Sequence, residues 1–104
     1  MALTLDPYII DTLMPDLVGH DKQPSAFIVF LYLWARARQR PAGAHGAAGK
    51  WTAASLQQIA VDSGLSKSAV QDAIRTLKRR RLIQGYQESA TSVPEYLVHA
   101  PWRR

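Results

Sequence analysis

Between Ser55 and Ile83 the chain carries two runs of helical periodicity with one glycine, Gly64, between them. Leu56, Ile59 and Ala60 share one helix face, and Val70, Ala73, Ile74 and Leu77 share the buried face of a second helix. Ser55 with Gln58 three residues later reads as a capping box that opens the first helix, which ends near Asp62-Ser63. Gly64 supplies the positive φ for a sharp turn and Leu65 plugs the corner. Ser66 then caps the second helix, expected from Lys67 to about Arg80. The spacing is specific: a small Ala60 lets two helices cross closely, glycine follows four residues later, and Val70 packs six residues beyond it.

Two further helices are expected upstream. Asp6-Pro7 reads as an N-cap followed by proline at the first helical position. Ile9, Ile10, Leu13 and Met14 recur at helical spacing, and Pro15 is expected to close this helix at about Met14. Gly19–Gln23 reads as a polar connector. Pro24 sits in the first turn of a helix running to about Arg40, where Pro41 stops it. That helix is apolar almost all round, with Phe27, Phe30, Leu31 and Trp34 on one face and Ile28, Tyr32 and Ala35 on another. Two apolar faces need two partners. One is the rest of the core; the other is either the Pro7–Met14 helix or a second subunit, which makes Phe27, Phe30, Leu31 and Trp34 the candidate seam of a homodimer.

Pro41 to Lys50 is Gly/Ala-rich without periodicity and reads as a loop. Its end resembles a phosphate-binding loop only superficially. The pattern G-x-x-x-x-G-K-[ST] needs glycine where Ala44 stands, a hydroxyl where Trp51 stands, and a preceding strand rather than a helix. An NTPase is excluded on those grounds.

A chain of 104 residues folds as one domain without staples. With no cysteine, disulfide scaffolds, thiol nucleophiles and cysteine zinc sites are ruled out, which fits a cytosolic protein. The longest apolar run, Ala26 to Ala35, is ten residues and too short to span a bilayer. The first six residues lack the basic start of a signal peptide, so a soluble intracellular protein is expected. The net charge of +5 is unevenly distributed. Residues 1–34 hold one base (Lys22) against four acids (Asp6, Asp11, Asp16, Asp21), or −3; residues 35–104 hold twelve bases against four acids, or +8. A basic part of this size on a small domain suggests a polyanion, usually nucleic acid, although solubility alone also accommodates it.

The segment from Ser55 to Ile83 resembles the helix-turn-helix of bacterial winged-helix regulators. It is particularly similar to the DNA-binding domains of GntR-type repressors and of phage or plasmid replication-initiator proteins. The match is strong over 29 residues and extends, with flanking elements, over about 80. The implied fold is mainly α with a small β-hairpin wing: a winged helix-turn-helix with a three-helix core plus an extra N-terminal helix. It forms a single domain over 1–104, with the helix-turn-helix at 55–80, the wing at 82–100 and an N-terminal extension at 1–23. The hairpin pairs Leu82–Glu88 with Glu95–Ala100, Val93-Pro94 closing its turn, and Lys50-Trp51-Thr52 adds a short third strand. The family usually has glycine where Arg81 stands, in a left-handed conformation that costs arginine about 1 kcal/mol, so a different helix end is expected. The hairpin also departs from the pattern: Leu82 to Ala100 has no Lys or Arg, and Glu88 and Glu95 make it −2. Gln87, Ser89, Thr91 and Ser92 remain as hydrogen-bonding groups there.

The resemblance implies that the Lys67–Arg80 helix enters the DNA major groove by its N-terminal end. With Val70, Ala73, Ile74 and Leu77 assigned to the core, its outward face is Lys67, Ser68, Gln71, Asp72, Arg75 and Arg79. Lys67, Ser68, Gln71 and Arg75 are of the kind that reads base edges. Thr52, Ser55 and Ser66, at helix N-termini, suit phosphate oxygens, and Lys78 and Arg79, in the basic run Lys78–Arg81 at the end of the Lys67–Arg80 helix, are further candidate DNA contacts. Each has a plainer role as well. Ser55 and Ser66 cap helices in any case, Gln71 and Arg75 suit any solvated helix face, and the basic run complements a helix dipole. Asp72 reads as a structural partner of Arg75 three residues on. Trp51, Tyr86, Tyr96 and Trp102 read as packing residues rather than base-stacking platforms.

No catalytic constellation is present, since His20, His45 and His99 lie in separate segments and the acids form no recognisable pair. The expected function is therefore sequence-specific binding of double-stranded DNA. The protein would act as a transcriptional regulator or a replication-initiation factor in the cytoplasm, associated with the nucleoid. No enzymatic activity, metal, cofactor, small-molecule ligand or membrane partner is expected. The alternative is a winged helix serving protein–protein contact, supported by the acidic wing, the −3 N-terminal part and the apolar excess of the Pro24–Arg40 helix.

Overall fold

The computed structural model describes residues 3–39 and 51–102. The loop expected over Pro41–Lys50, the rejected phosphate-loop pattern and His45 lie outside the described residues, as do Arg40 and Pro41 at the expected end of the second helix. The chain is mainly helical, with one small three-stranded antiparallel sheet. An N-terminal helix of π pitch is followed by α1 (Pro24–Gln39), β1 (Trp51–Ala53), α2 (Leu56–Ser63), α3 (Lys67–Arg79), β2 (Ile83–Tyr86) and β3 (Glu95–Val98). None of the described helices is long and apolar enough to cross a membrane.

The N-terminal helix departs from expectation. It does not stop at Met14 but continues as two π-helical stretches, Ile9–Leu13 and Pro15–His20. Proline ends an α-helix by lacking an N–H and by crowding the preceding turn. Here the ladder has widened to bonds five residues apart, as from Met14 N–H to Ile9 O and from Asp21 N–H to Asp16 O. Pro15 stands at the first position of the second stretch, where its missing donor is least costly. Leu17 supplies the reason to continue, because it is fully buried with Ile9 and Leu13 on one stripe. Lys22, at a φ of 55°, then turns the chain into α1.

α1 lies at the centre, against the N-terminal helix, α2, α3 and the sheet. Its apolar surface is satisfied within the chain. Phe27, Phe30 and Trp34 are buried and Leu31 is half-buried, so the face put forward as a homodimer seam is core. The second face also differs from expectation. It is Ala26, Val29, Leu33 and Ala37 that are buried, whereas Ile28 is exposed and Tyr32 and Ala35 are half-buried. The N-terminal helix packs along α1 and thereby provides the second partner that such a helix needs.

The sheet order is β1-β3-β2. Thr52 pairs with Tyr96, Gly85 with Tyr96, and Ile83 with Val98, so these residues share the inward face of the pleat. Tyr96 is buried as a packing residue, and burial raises its phenol pKa above the ordinary value. Trp102 belongs to an aromatic cluster, stacked on Tyr8 at 4.7 Å and on Trp34 at 6.1 Å. Its indole N–H donates to Asp6 at 2.8 Å, tying residues 96 positions apart.

α3 ends in a left-handed residue after all. Arg81 has a φ of 59°, its N–H donates to Lys78 O, and the Leu82 N–H donates to Leu77 O at 2.9 Å. These are the two bonds of a Schellman end, with Arg81 where glycine is usual. The geometry turns Leu82 into the core one residue before β2 begins, which a helix fraying differently would not do.

Candidate nucleic-acid interface

α3 presents its polar side as its periodicity requires. Val70, Ala73, Ile74 and Leu77 are buried, with Thr76 beside them, while Lys67, Ser68, Gln71, Asp72, Arg75, Lys78 and Arg79 are exposed. Ser66 caps the helix by accepting the Ala69 N–H at 3.1 Å. Gly64, at a φ of 81°, closes α2 with its N–H on Ala60 O, and this sets the crossing of α2 and α3.

An open groove of about 890 Å³ runs between α3, the start of α2 and the β2–β3 hairpin. Five of the nine residues expected to touch DNA line it: Ser55, Lys67, Gln71, Arg75 and Lys78. Leu56, Ile74, Pro94 and Tyr96 contribute its apolar surface. Among the described residues, no carboxylate lines it. Lys78 reaches across the hairpin: a Cβ built on Gly85 would lie 2.9 Å from the Lys78 ammonium, so the bare glycine makes room for that side chain.

The remaining expected residues are placed otherwise. Ser66 and Ser68 stand exposed at the start of α3, and their hydroxyls lie 3.3 Å apart. Arg79 is exposed but outside the groove. Thr52 is a correction. It is buried on the inner face of β1, and its hydroxyl accepts from Arg36 Nε at 3.4 Å, so it cannot reach a phosphate. Only half of the capping box forms as well. Ser55 Oγ accepts the Gln58 N–H at 3.0 Å, but the Gln58 amide donates to Asp62 instead of returning to Ser55.

Gln57, Tyr86 and Gln87 also line the groove. Gln57 was legible, since assigning Leu56, Ile59 and Ala60 to the core leaves it facing out. Tyr86, 44 % exposed at the end of β2, had no local signal to separate it from the buried Tyr96. The polar residues of the hairpin loop hold one another. Gln87 Nε2 donates to Ser92 O at 2.8 Å, Ser92 Oγ accepts the Ser89 N–H at 2.9 Å, and Ser92 Oγ donates to Ser89 O at 2.9 Å.

Charge around α3 is sorted by pairing. Arg75 donates to Asp72 at 2.9 Å, and both are well exposed. Arg80 turns the other way, donating to Asp21 at 2.6 Å and also to Asp16. His20 joins this cluster at 2.9 Å from Asp21. Its hydrogen bond to Asp21 and the charges of Asp21 and Asp16 raise the imidazole pKa, and the same contact with His20, followed by Arg80, holds the Asp21 carboxyl below its ordinary range. Asp16, His20 and Asp21 are the one group among the described residues with metal-ligand proximity, and Arg80 already occupies both carboxylates. On the opposite flank, the Tyr32 hydroxyl donates to Asp62 at 2.5 Å and joins α1 to α2. Burial and that bond raise the Tyr32 pKa, while Tyr32 and Gln58 hold Asp62 low.

No protein-family model, curated protein or solved structure matches the chain.

Proposed function

We propose that the protein is a winged helix-turn-helix that binds double-stranded DNA sequence-specifically, with α3 in the major groove, as a transcriptional regulator or replication-initiation factor. One observation carries the reading. Lys67, Gln71, Arg75 and Lys78 lie along one exposed side of α3 and line a single open groove, together with the capped start of α2; among the described residues no carboxylate lines it, and Asp72 stands beside it on Arg75. Long flexible cations suit phosphates, and Gln and Arg offer the donor and acceptor patterns that distinguish base pairs in the major groove. The overall charge of +5 supports the same partner. The acidic hairpin has no cation to place in a minor groove, so affinity rests on α3 and the elements beside it. The protein–protein alternative loses one of its supports, because Phe27 and Trp34 are core residues.

The test is a fluorescence-anisotropy titration of a labelled duplex from low to physiological salt. Three to five phosphate contacts give a slope of log K on log salt of about −3 to −5, at about −0.9 per phosphate. No binding at low salt rejects the reading.

A further inference from the structure

Beyond Lys78, away from the groove, lies a second concavity of about 500 Å³. The exposed Lys78 and Arg81 and the half-buried His99 surround it, over the buried Ile83 and next to Ala100 and Pro101. Among the described residues it too is lined by no carboxylate. Lys78 is shared by the two depressions, so together they form one track along α3, from Lys67 at its start to Arg81 just past its end.

Arg81 is the informative residue. Its φ of 59° lies where a side chain is strained and glycine is not. Glycine is the unstrained choice at such a helix end, so the arginine is not what the turn itself requires. Its neighbour Arg80 is committed to Asp16 and Asp21, whereas among the described residues no acid pairs with Arg81. Lys22 shares the left-handed conformation, but Arg81 alone of the two lines the concavity, beside Lys78 and His99.

We propose that Lys78, Arg81 and His99 seat a backbone phosphate of the duplex whose bases α3 reads; this rests on the DNA-binding reading. α3 has 13 residues and is roughly 20 Å long at 1.5 Å per residue. The major groove is about 12 Å wide. With the N-terminal end of α3 in the groove, its C-terminal end projects past the rim, where the sugar–phosphate backbone runs. The planar guanidinium of Arg81 matches a phosphate in two parallel hydrogen bonds, and Lys78 and His99 add donors beside it. The hairpin has no Lys or Arg from Leu82 to Ala100, so on that flank the neutralising charge comes from the end of α3.

The experiment compares Arg81→Gly with Lys22→Gly in the full chain. Each substitution removes one positive charge and relieves one left-handed non-glycine residue, but Lys22 lines neither depression. Anisotropy titrations use two duplexes of unrelated sequence, and thermal melts confirm folding. Arg81→Gly is expected to weaken binding about fivefold on both duplexes and to make the salt slope shallower by about one, as loss of one phosphate contact does. It should melt at or above the wild-type temperature, and Lys22→Gly should bind as wild type. Equal affinities and slopes for the two variants overturn the phosphate seat and leave the DNA reading intact. A wild-type chain that binds neither duplex at low salt overturns both.

Discussion

Arg80 donates to the Asp21 carboxylate at 2.6 Å across 59 residues of chain, and so fastens the end of α3 to the end of the N-terminal helix. The pair is well shielded, with side-chain exposures of 29 % and 14 %, and Asp16 takes a second guanidinium nitrogen. Breaking a half-buried, doubly bonded pair lies between the cost of a surface pair and that of a fully buried one. Arg80→Gln is therefore expected to lower stability by about 1–2 kcal/mol, read as a lower urea midpoint at unchanged m-value. Because Arg80 faces away from the groove, the salt slope of DNA binding should not change. A shallower slope in a folded Arg80→Gln protein would place Arg80 on DNA instead.

The same cluster sets a pH dependence. His20 has a folded-state pKa raised above 6.5, chiefly by its hydrogen bond to Asp21. Its contribution to stability is fully present below pH 6.5 and is lost as pH rises through the raised value. Asp21 has the opposite sign. Its pKa lies below 3.8, so its contribution is present above pH 3.8 and is lost as pH falls through the lowered value. Melting temperatures measured from pH 5.5 to 8.5 should decline slightly toward alkaline pH in the wild type, and His20→Gln should remove that component. An unchanged slope in His20→Gln would mean that the imidazole is not linked to folding.

Thr52 separates structure from interface. Its hydroxyl faces Arg36 inside the protein, so Thr52→Val removes one long hydrogen bond and keeps the shape. The loss is expected to be about 1 kcal/mol or less, with DNA affinity unchanged. Reduced affinity at unchanged stability would return Thr52 to the phosphate contacts.

The sequence revealed what is local and missed what is long-range. The outward face of α3 was legible because Val70, Ala73, Ile74 and Leu77 fix the helix rotation within the segment itself. The Gly64 turn and the hairpin were legible for the same reason. Pro15 misled because the burial of Leu17 against distant elements outweighs a local breaking rule. The seam proposed on Phe27, Phe30 and Trp34 failed because distant parts of the same chain cover it: Trp102 packs on Phe30 and Trp34, and the Trp34 indole donates to Thr4 O. Thr52 was misplaced because it was grouped with the helix N-termini, whereas Ser55 caps α2 and Thr52 lies in β1 with its side chain inward. Arg80 had no signal at all, its acids lying 59 and 64 residues upstream.

Arg75 and Asp72 give the sharpest test of the groove. Both are exposed, at 72 % and 59 %, and are linked at 2.9 Å, so their ion pair contributes little to stability. Within the groove, however, Arg75 is one of the two side chains best suited to reading bases, and Asp72 holds it while presenting a carboxylate to an approaching polyanion. Asp72→Asn should leave stability within about 0.5 kcal/mol of wild type and tighten duplex binding, because it removes a repulsive charge and releases the guanidinium. Gln71→Ala and Arg75→Ala should each cost about 1–3 kcal/mol against a selected site, with a much smaller loss on a random duplex. This contrast between sites distinguishes base readout from general attraction. Equal losses on both duplexes would make Gln71 and Arg75 backbone contacts and would remove α3 from the bases.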